Sequence, residues 1–209
     1  EALYFENNRS FWKRDETPAG PSIRVLAFNA SAAPLDIPEI RAQTPLLIQA
    51  DSVLIDRKSK QDFQGVGVGD HVELNGHRVK IVGTYELGTD FADDGTIVCN
   101  DETYRKAIFP HLTGEQALQA IDIGLVKVAA GSSIDDARLA IDDLLPPDAL
   151  VMTKQQFLDF EFRYWSTSTP IGYVFLLGTI MGFLVGMIIC YQILFSDIAD
   201  HLKEFATLK

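Results

Sequence analysis

The feature that most constrains this chain is an uncharged, apolar run over residues 171–195, near the end of its 209 residues. The run holds 25 residues. At about 1.5 Å per residue, a helix of that length exceeds the ~30 Å hydrocarbon core of a bilayer. A soluble helix without a polar face would have to be buried on every side. The run therefore predicts a transmembrane helix, with a central core helix as the alternative, and makes the rest of the chain a tethered domain.

Three glycines within this run form a second pattern. Gly178, Gly182 and Gly186 recur every four residues, which places them on one face of a helix. In lipid, helices associate by close backbone packing, and glycine permits that approach. Glycine is also common in membrane helices, so chance spacing is the alternative. The pattern predicts packing against another membrane helix, on a further segment of the protein or on another subunit.

The charge of the chain limits its partners. Residues 1–169 carry a net charge of −10. An acidic domain of this kind argues against binding to nucleic acid or along anionic lipid surfaces. The only cysteines are Cys99 and Cys190, and Cys190 lies in the apolar run, so the sequence predicts no disulfide framework. Lysine and arginine flank the run on both sides and leave its orientation open.

The clearest local structure is a β-hairpin over residues 69–85. Val72 and Leu74 alternate with Glu73, and Asn75-Gly76 is typical of a type I′ turn. The glycines just upstream lead into this strand and not into a helix N-terminus, which argues against a nucleotide-binding loop.

Other segments mix strand and helix patterns, which predicts an α+β domain. Strands are predicted at residues 2–5, 10–13, 23–28, 53–56, 96–99, 121–128 and 150–152, with Asn7-Asn8 joining the first two as a hairpin. Helices are predicted at residues 39–43, 102–109 (capped by Asp101), 113–119, 133–145 and 157–165. Pro170 either breaks the last helix or kinks one continuous rod. Residues 17–21 are predicted to form a loop.

The sequence offers no catalytic pattern. The four histidines (His71, His77, His111 and His201) lack metal-ligand spacing and are interpreted as surface residues. Residues 90–101 resemble a calcium loop in part, but Ala92 occupies a ligand position, so a solvated acidic loop is the better interpretation. The chain is therefore not expected to be an enzyme or to bind a metal or cofactor.

The segment after the apolar run is amphipathic. Ile198, Leu202, Phe205 and Leu208 follow helical spacing, with Lys203 and Glu204 among the polar residues between them. A helix lying on the membrane surface is one interpretation, but such helices are usually basic and this one is not. A protein partner is favoured.

Several of these segments together resemble one protein family. Residues 164–172, 181–186, 191–202 and 204–209 closely resemble the DevC-type permeases, a branch of the FtsX-like and MacB-like ABC exporter permeases. Upstream segments resemble the extracytoplasmic domain of the same family: residues 53–59, 69–76, 82–83, 86–95 and 145–148.

The resemblance implies an organisation for the chain. Residues 1–165 would be a periplasmic domain of the MacB-like core type, residues 166–196 a stalk and the second transmembrane helix, and residues 197–209 a truncated cytoplasmic coupling helix. The chain would then be a piece of a longer permease of the bacterial inner membrane, which has four membrane helices.

The resemblance also implies partners. The coupling helix would dock on a separate ABC ATPase subunit that binds the ATP, through Ile198, Leu202, Lys203, Glu204, Phe205 and Leu208. A periplasmic adaptor, an outer-membrane channel, a second permease copy and membrane lipid would complete the assembly, with a lipid or glycolipid cargo. The alternative is a single-span sensor or binding domain without a transport role.

Overall fold

The computed structural model describes residues 1–7, 10–13, 22–32, 34–60, 63, 65–88, 93–112, 116, 118–168 and 170–207, with backbone alone at 171, 200 and 202–207. These residues form two compact units, Glu1–Lys127 and Val128–Lys209. The predicted boundaries after residues 165 and 196 separate the periplasmic, membrane and cytoplasmic segments, and they stay a prediction. The predicted loop at 17–21 lies outside the described residues.

The first unit is built around a mixed β-sheet. Its described strands are β1 (Ala2–Glu6), β2 (Trp12–Lys13), β3 (Arg24–Phe28), β4 (Ser52–Asp56), β5 (His71–Leu74), β6 (His77–Tyr85), β7 (Thr96–Asn100) and β8 (Ile123–Gly124). They lie in the order β2-β5-β6-β4-β7-β3-β1-β8. The pairs β4–β6 and β3–β7 are parallel, and the other pairs are antiparallel.

Apolar side chains cover both faces of this sheet. Helix α1 (Pro38–Gln43) continues into a 3₁₀ turn (Thr44–Ile48), and α2 (Asp101–Ile108) follows β7. Val53 and Ile55 of β4 pack in the cluster that includes Tyr104 of α2, while Leu54 packs with Leu47 of the 3₁₀ turn. All five residues of β4 are buried, and the strand agrees with the one predicted at residues 53–56. Helices and a mixed sheet within one unit confirm the α+β class.

The predicted hairpin is confirmed. β5 and β6 pair antiparallel, with Leu74 opposite His77 across the turn. Asn75 and Gly76 have φ angles of 51° and 79°. Positive φ at both central residues is what a type I′ turn requires, and Asn-Gly meets that requirement with little strain.

The predicted hairpin between residues 2–5 and 10–13 is wrong. β1 pairs with β3 and β8, whereas β2 pairs with β5 near the other end of the sheet. Two hydrogen bonds fix this arrangement: the Phe11 amide donates to the Asn75 side-chain Oδ1 at 2.8 Å, and the Asn75 backbone amide donates to the Phe11 carbonyl at 3.0 Å. Trp12, only 2% exposed, packs edge-on against Phe63. Burial of Trp12 therefore outweighs the local turn at Asn7, and Asn8 lies outside the described residues.

The cap of α2 also differs from the prediction. Asn100, and not Asp101, accepts a 2.7 Å hydrogen bond from the Thr103 amide. The side-chain Nδ2 of Asn100 donates to the Leu47 carbonyl at 2.7 Å. Because one buried asparagine satisfies both groups, the helix begins one residue earlier than predicted.

Two further predictions are wrong in extent, a third is wrong altogether, and two fall partly outside the described residues. The strand over 121–128 is only β8, because it pairs with two residues of β1, and residues 150–152 form no strand. The helix over 133–145 ends at Asp142. Most of the helix at 113–119 and residues 90–92 of the acidic loop lie outside the described residues.

The second unit is helical where it is described. It holds α3 (Ile134–Asp142), α4 (Lys154–Arg163), a π turn (Tyr164–Ser168) and α5 (Pro170–Thr207). Ser133 caps α3, and Thr153 with Gln156 forms a capping box at the start of α4.

Candidate functional site: the C-terminal apolar helix

Helix α5 is long and apolar enough to cross a membrane. Its candidate span, Gly172–Ala199, holds 28 residues with a mean hydropathy of 2.3, and none of the most apolar part is buried. At about 1.5 Å rise per residue the span is about 42 Å long, against a ~30 Å bilayer core. Its large side chains are about half exposed or more, from Leu184 at 47% to Phe183 at 69%. The described residues therefore do not bury this helix, and the alternative of a core helix is wrong for them.

The glycine face lies open within the described structure. Gly178, Gly182 and Gly186 are all on α5, and a Cβ added at any of them would meet no heavy atom within 4 Å. A face without side chains and without neighbours leaves room for the backbone of another helix. Packing of a membrane helix on this face stays a prediction.

The helix path is irregular just before the apolar span. The π turn Tyr164–Ser168 separates α4 from α5, and α5 begins at Pro170. Proline suits a first helical position because its missing N–H is not needed there. A Cβ on Gly172 would collide with the Ser166 carbonyl oxygen, so glycine is what permits this close approach. Residue 169 lies outside the described residues, which leaves the choice between a break and a kink open.

Aromatic residues lie at the start of the apolar helix. Tyr164 and Trp165 pack edge to face with ring centroids 6.0 Å apart, and Trp165 Nε1 donates to Glu161 Oε2 at 3.2 Å. A tyrosine and tryptophan pair, with the indole N–H hydrogen-bonded, matches the amphipathic residues found at membrane interfaces.

The predicted coupling residues lie at the other end of α5. Ile198 is 57% exposed, and His201 Nε2 lies 3.7 Å from Asp197 Oδ1 one turn earlier. Leu202, Lys203, Glu204 and Phe205 have helical backbone, but their side chains lie outside those described, as does the whole of Leu208. The helical backbone agrees with the predicted amphipathic helix, and the docking role stays a prediction.

The sequence interpretation missed one charged cluster, in the first unit. Asp51 Oδ1 lies 2.9 Å from His77 Nε2 and 3.3 Å from Lys106 Nζ. The hydrogen bond to His77 contributes most to lowering the pKa of Asp51, with Lys106 adding to it. The three residues come from a turn, a strand and a helix far apart in sequence, so no local pattern signals the cluster. His77 is thus a hydrogen-bond partner of Asp51 as well as a partly exposed residue.

The similarity of this chain to known proteins lies in its fold. No protein-family model matches the chain, and no curated protein matches it. Among solved structures, it is similar to the periplasmic region of MacB from Actinobacillus actinomycetemcomitans, with 12% sequence identity and a TM-score of 0.42. The match covers 68% of this chain and 63% of that chain, less than two thirds of its length. At this level the similarity concerns backbone arrangement alone, and no activity follows from it.

Proposed function

We propose that this chain is part of the permease subunit of an ABC exporter in a bacterial inner membrane. In this proposal the first unit lies in the periplasm, α5 crosses the membrane, and the end of α5 reaches the cytoplasm. The observation that carries the proposal is an exposed apolar span, Gly172–Ala199, whose helix continues to Thr207 beyond the last apolar turn. The resemblance of residues 164–172 and 191–202 to DevC-type permeases supports the same assignment.

The chain itself would be non-catalytic. ATP would be bound and hydrolysed by a separate ATPase subunit, and the end of α5 would seat in a groove of that subunit. Helix-in-groove recognition uses apolar anchors about one turn apart, which Ile198, Leu202 and Phe205 would supply, with Leu208 beyond the described residues. Lys203 and Glu204 would fix the register of the docked helix.

Movement of α5 would then be transmitted to the periplasmic domain and to the proteins bound to it. The open glycine face would pack on another membrane helix of the permease or of a second permease copy. A periplasmic adaptor and an outer-membrane channel would complete the export route, and a lipid or glycolipid would be its cargo. These partners and this cargo rest on the family resemblance.

The coupling role has a direct test in the full-length protein. Phe205→Ala is expected to weaken association with the ATPase subunit about 30-fold or more, because loss of a central aromatic anchor costs about 2 kcal/mol or more. Glu204→Ala, tested separately, is also expected to weaken association. Co-expression with candidate ABC ATPase subunits, followed by quantitative pull-down, measures the change.

A matched control lies on the same helix. At about 100° per residue, Asp200 lies about 140° around the helix from Phe205 but only about 40° from Glu204, so it is the control for Phe205→Ala: Asp200→Ala should weaken association far less than Phe205→Ala does. Undiminished association of the Phe205→Ala and Glu204→Ala variants would sink the coupling role. Absence of any ATPase association in the unmodified protein would favour the single-span sensor instead.

A further inference from the structure

A cleft in the first unit carries an inference separate from transport. The cleft lies between the turn of residues 49–52 and the outer face of the β5–β6 hairpin, where His71, Arg78 and Lys80 line it. We call it the hairpin cleft. Three basic side chains and one carboxylate, that of Asp51, line it.

The strand alternation explains why these side chains meet. Val72, Val79 and Ile81 are buried, so the residues between them point to the opposite, exposed face. His71 is directly opposite Lys80 in the β5–β6 register, which places their Cβ atoms about 5 Å apart. Arg78 and Lys80 are two residues apart on one strand and share its outer face. All three can therefore reach one small ligand.

The positive charge of the hairpin cleft is not neutralised by its own carboxylate. Arg78 and Lys80 form no ion pair with any residue that the structure describes. Asp51, which also lines the cleft, is already held by His77 and Lys106.

One further carboxylate lies near the cleft. Glu73 is opposite Arg78 in the strand register, but its side chain contacts Lys13, with Oε2 3.9 Å from Nζ. Arg78 and Lys80 thus remain without an ion-pair partner among the described residues, although residues 1–169 as a whole carry a net charge of −10.

The turn that forms the other wall is fixed in an uncommon conformation. Asp51 has a φ of 58°, which residues other than glycine seldom adopt. Its amide donates to Thr103 Oγ1 at 3.1 Å, and its carbonyl accepts from the Lys80 amide at 2.8 Å. Backbone conformations of this kind persist where surrounding contacts enforce them, and they concentrate at binding sites. The turn of residues 49–52 and strand β6 are therefore held together in the absence of a ligand.

We infer that the hairpin cleft binds a phosphate group. The planar guanidinium of Arg78 suits two oxygens of a phosphate, and the Lys80 ammonium supplies a second charge beside it. His71 adds a ring nitrogen that donates a hydrogen bond to a third oxygen. A phosphate group occurs on soluble phosphate esters and on lipid headgroups, and the recognition chemistry is the same for both.

The test uses the full chain in phosphatidylcholine nanodiscs. Inorganic phosphate and glycerol 3-phosphate are titrated as soluble probes, and vesicles of phosphatidylcholine with and without phosphatidic acid serve as the lipid probe. Saturable binding is expected for at least one probe, and the probe that binds identifies the source. Arg78→Gln and Lys80→Gln are each expected to raise Kd about tenfold to hundredfold, since each removes a charged hydrogen-bond donor.

Controls separate this site from general charge. Lys127 is an exposed lysine of the same unit outside the cleft, so Lys127→Gln should leave Kd unchanged. In a Cys190→Ser background, protection of the buried Cys99 thiol from maleimide reports that each variant is folded. Failure of every probe to bind, equal weakening by Lys127→Gln, or preferential binding of an acidic peptide would each overturn the inference. None of these outcomes depends on an ATPase partner, so failure here leaves the proposed function intact.

Discussion

Replacing Leu184 and Val185 together by aspartate is expected to remove the chain from the membrane. Both residues lie at the centre of the span Gly172–Ala199 and are about half exposed. Each charge at the centre of a membrane helix costs about 2.5–3.5 kcal/mol on an insertion scale, so the pair costs about 5–7 kcal/mol. Sedimentation after alkaline carbonate extraction of cells that express residues 1–209 alone, in which α5 is the one candidate span among the described residues, measures how much of the chain stays in the membrane.

The matched control changes the same two positions without charge. Leu184→Ala with Val185→Ala leaves the helix uncharged and sufficiently apolar, so that variant should stay in the membrane pellet like the unmodified protein. If the aspartate pair also stayed fully in the pellet, the helix would not be inserted in the way that its composition indicates.

Replacing Leu54 by alanine is expected to destabilise the first unit by about 2–5 kcal/mol, the usual cost of truncating a fully buried leucine. Leu54 is 0% exposed in the central strand β4, and its Cδ2 lies 2.9 Å from where a Cβ on Gly83 would be. Neighbours packed this closely leave little room to close the cavity. The Leu54→Ala substitution thus tests whether packing on both faces of the sheet stabilises the first unit.

A native thiol reports the result in the intact protein. Cys99 on β7 is buried and lies beside β4, with Val53 as its cross-strand partner. Burial also raises the pKa of the Cys99 thiol, which suppresses its reaction in the folded state. In a Cys190→Ser background, the rate of Cys99 modification should rise about tenfold for each ~1.4 kcal/mol lost. Leu144→Ala, at a residue 84% exposed, should leave the rate unchanged, and an unchanged rate for Leu54→Ala would contradict the two-sided core.

Local sequence signals predict those parts of the fold in which neighbouring residues decide the structure. Asn75-Gly76 specifies a tight turn by itself, and Thr153 with Gln156 specifies a helix start within four residues. The apolar span is likewise a local property of composition. In each case the physical requirement is met by residues that are adjacent in the chain.

Pairings between distant segments could not be predicted in this way. β1 pairs with β8, more than a hundred residues away, and β2 finds β5 and not its neighbour in sequence. Asn100 is preferred over Asp101 as a cap because the Leu47 carbonyl, from a different element, needs a donor. The decisive partner in each case comes from tertiary structure.

The candidate sites divide along the same line. The glycine face and the amphipathic end of α5 follow from residue spacing alone, whereas the hairpin cleft depends on the turn at Asp51. Alternation places His71, Arg78 and Lys80 on one face of the hairpin, but only the fold shows that Asp51 is already engaged by Lys106. The sequence shows which residues carry charge, but only the fold shows which of those charges are paired.

The central claim is that α5 joins a domain on one side of a membrane to a segment on the other. Asp148→Cys and His201→Cys, each at an exposed position and each in a Cys190→Ser background, place one accessible thiol on either side of the span. A membrane-impermeant maleimide applied to spheroplasts should label the Asp148→Cys variant in intact cells and the His201→Cys variant only after permeabilisation. Labelling of both variants in intact spheroplasts would contradict the claim.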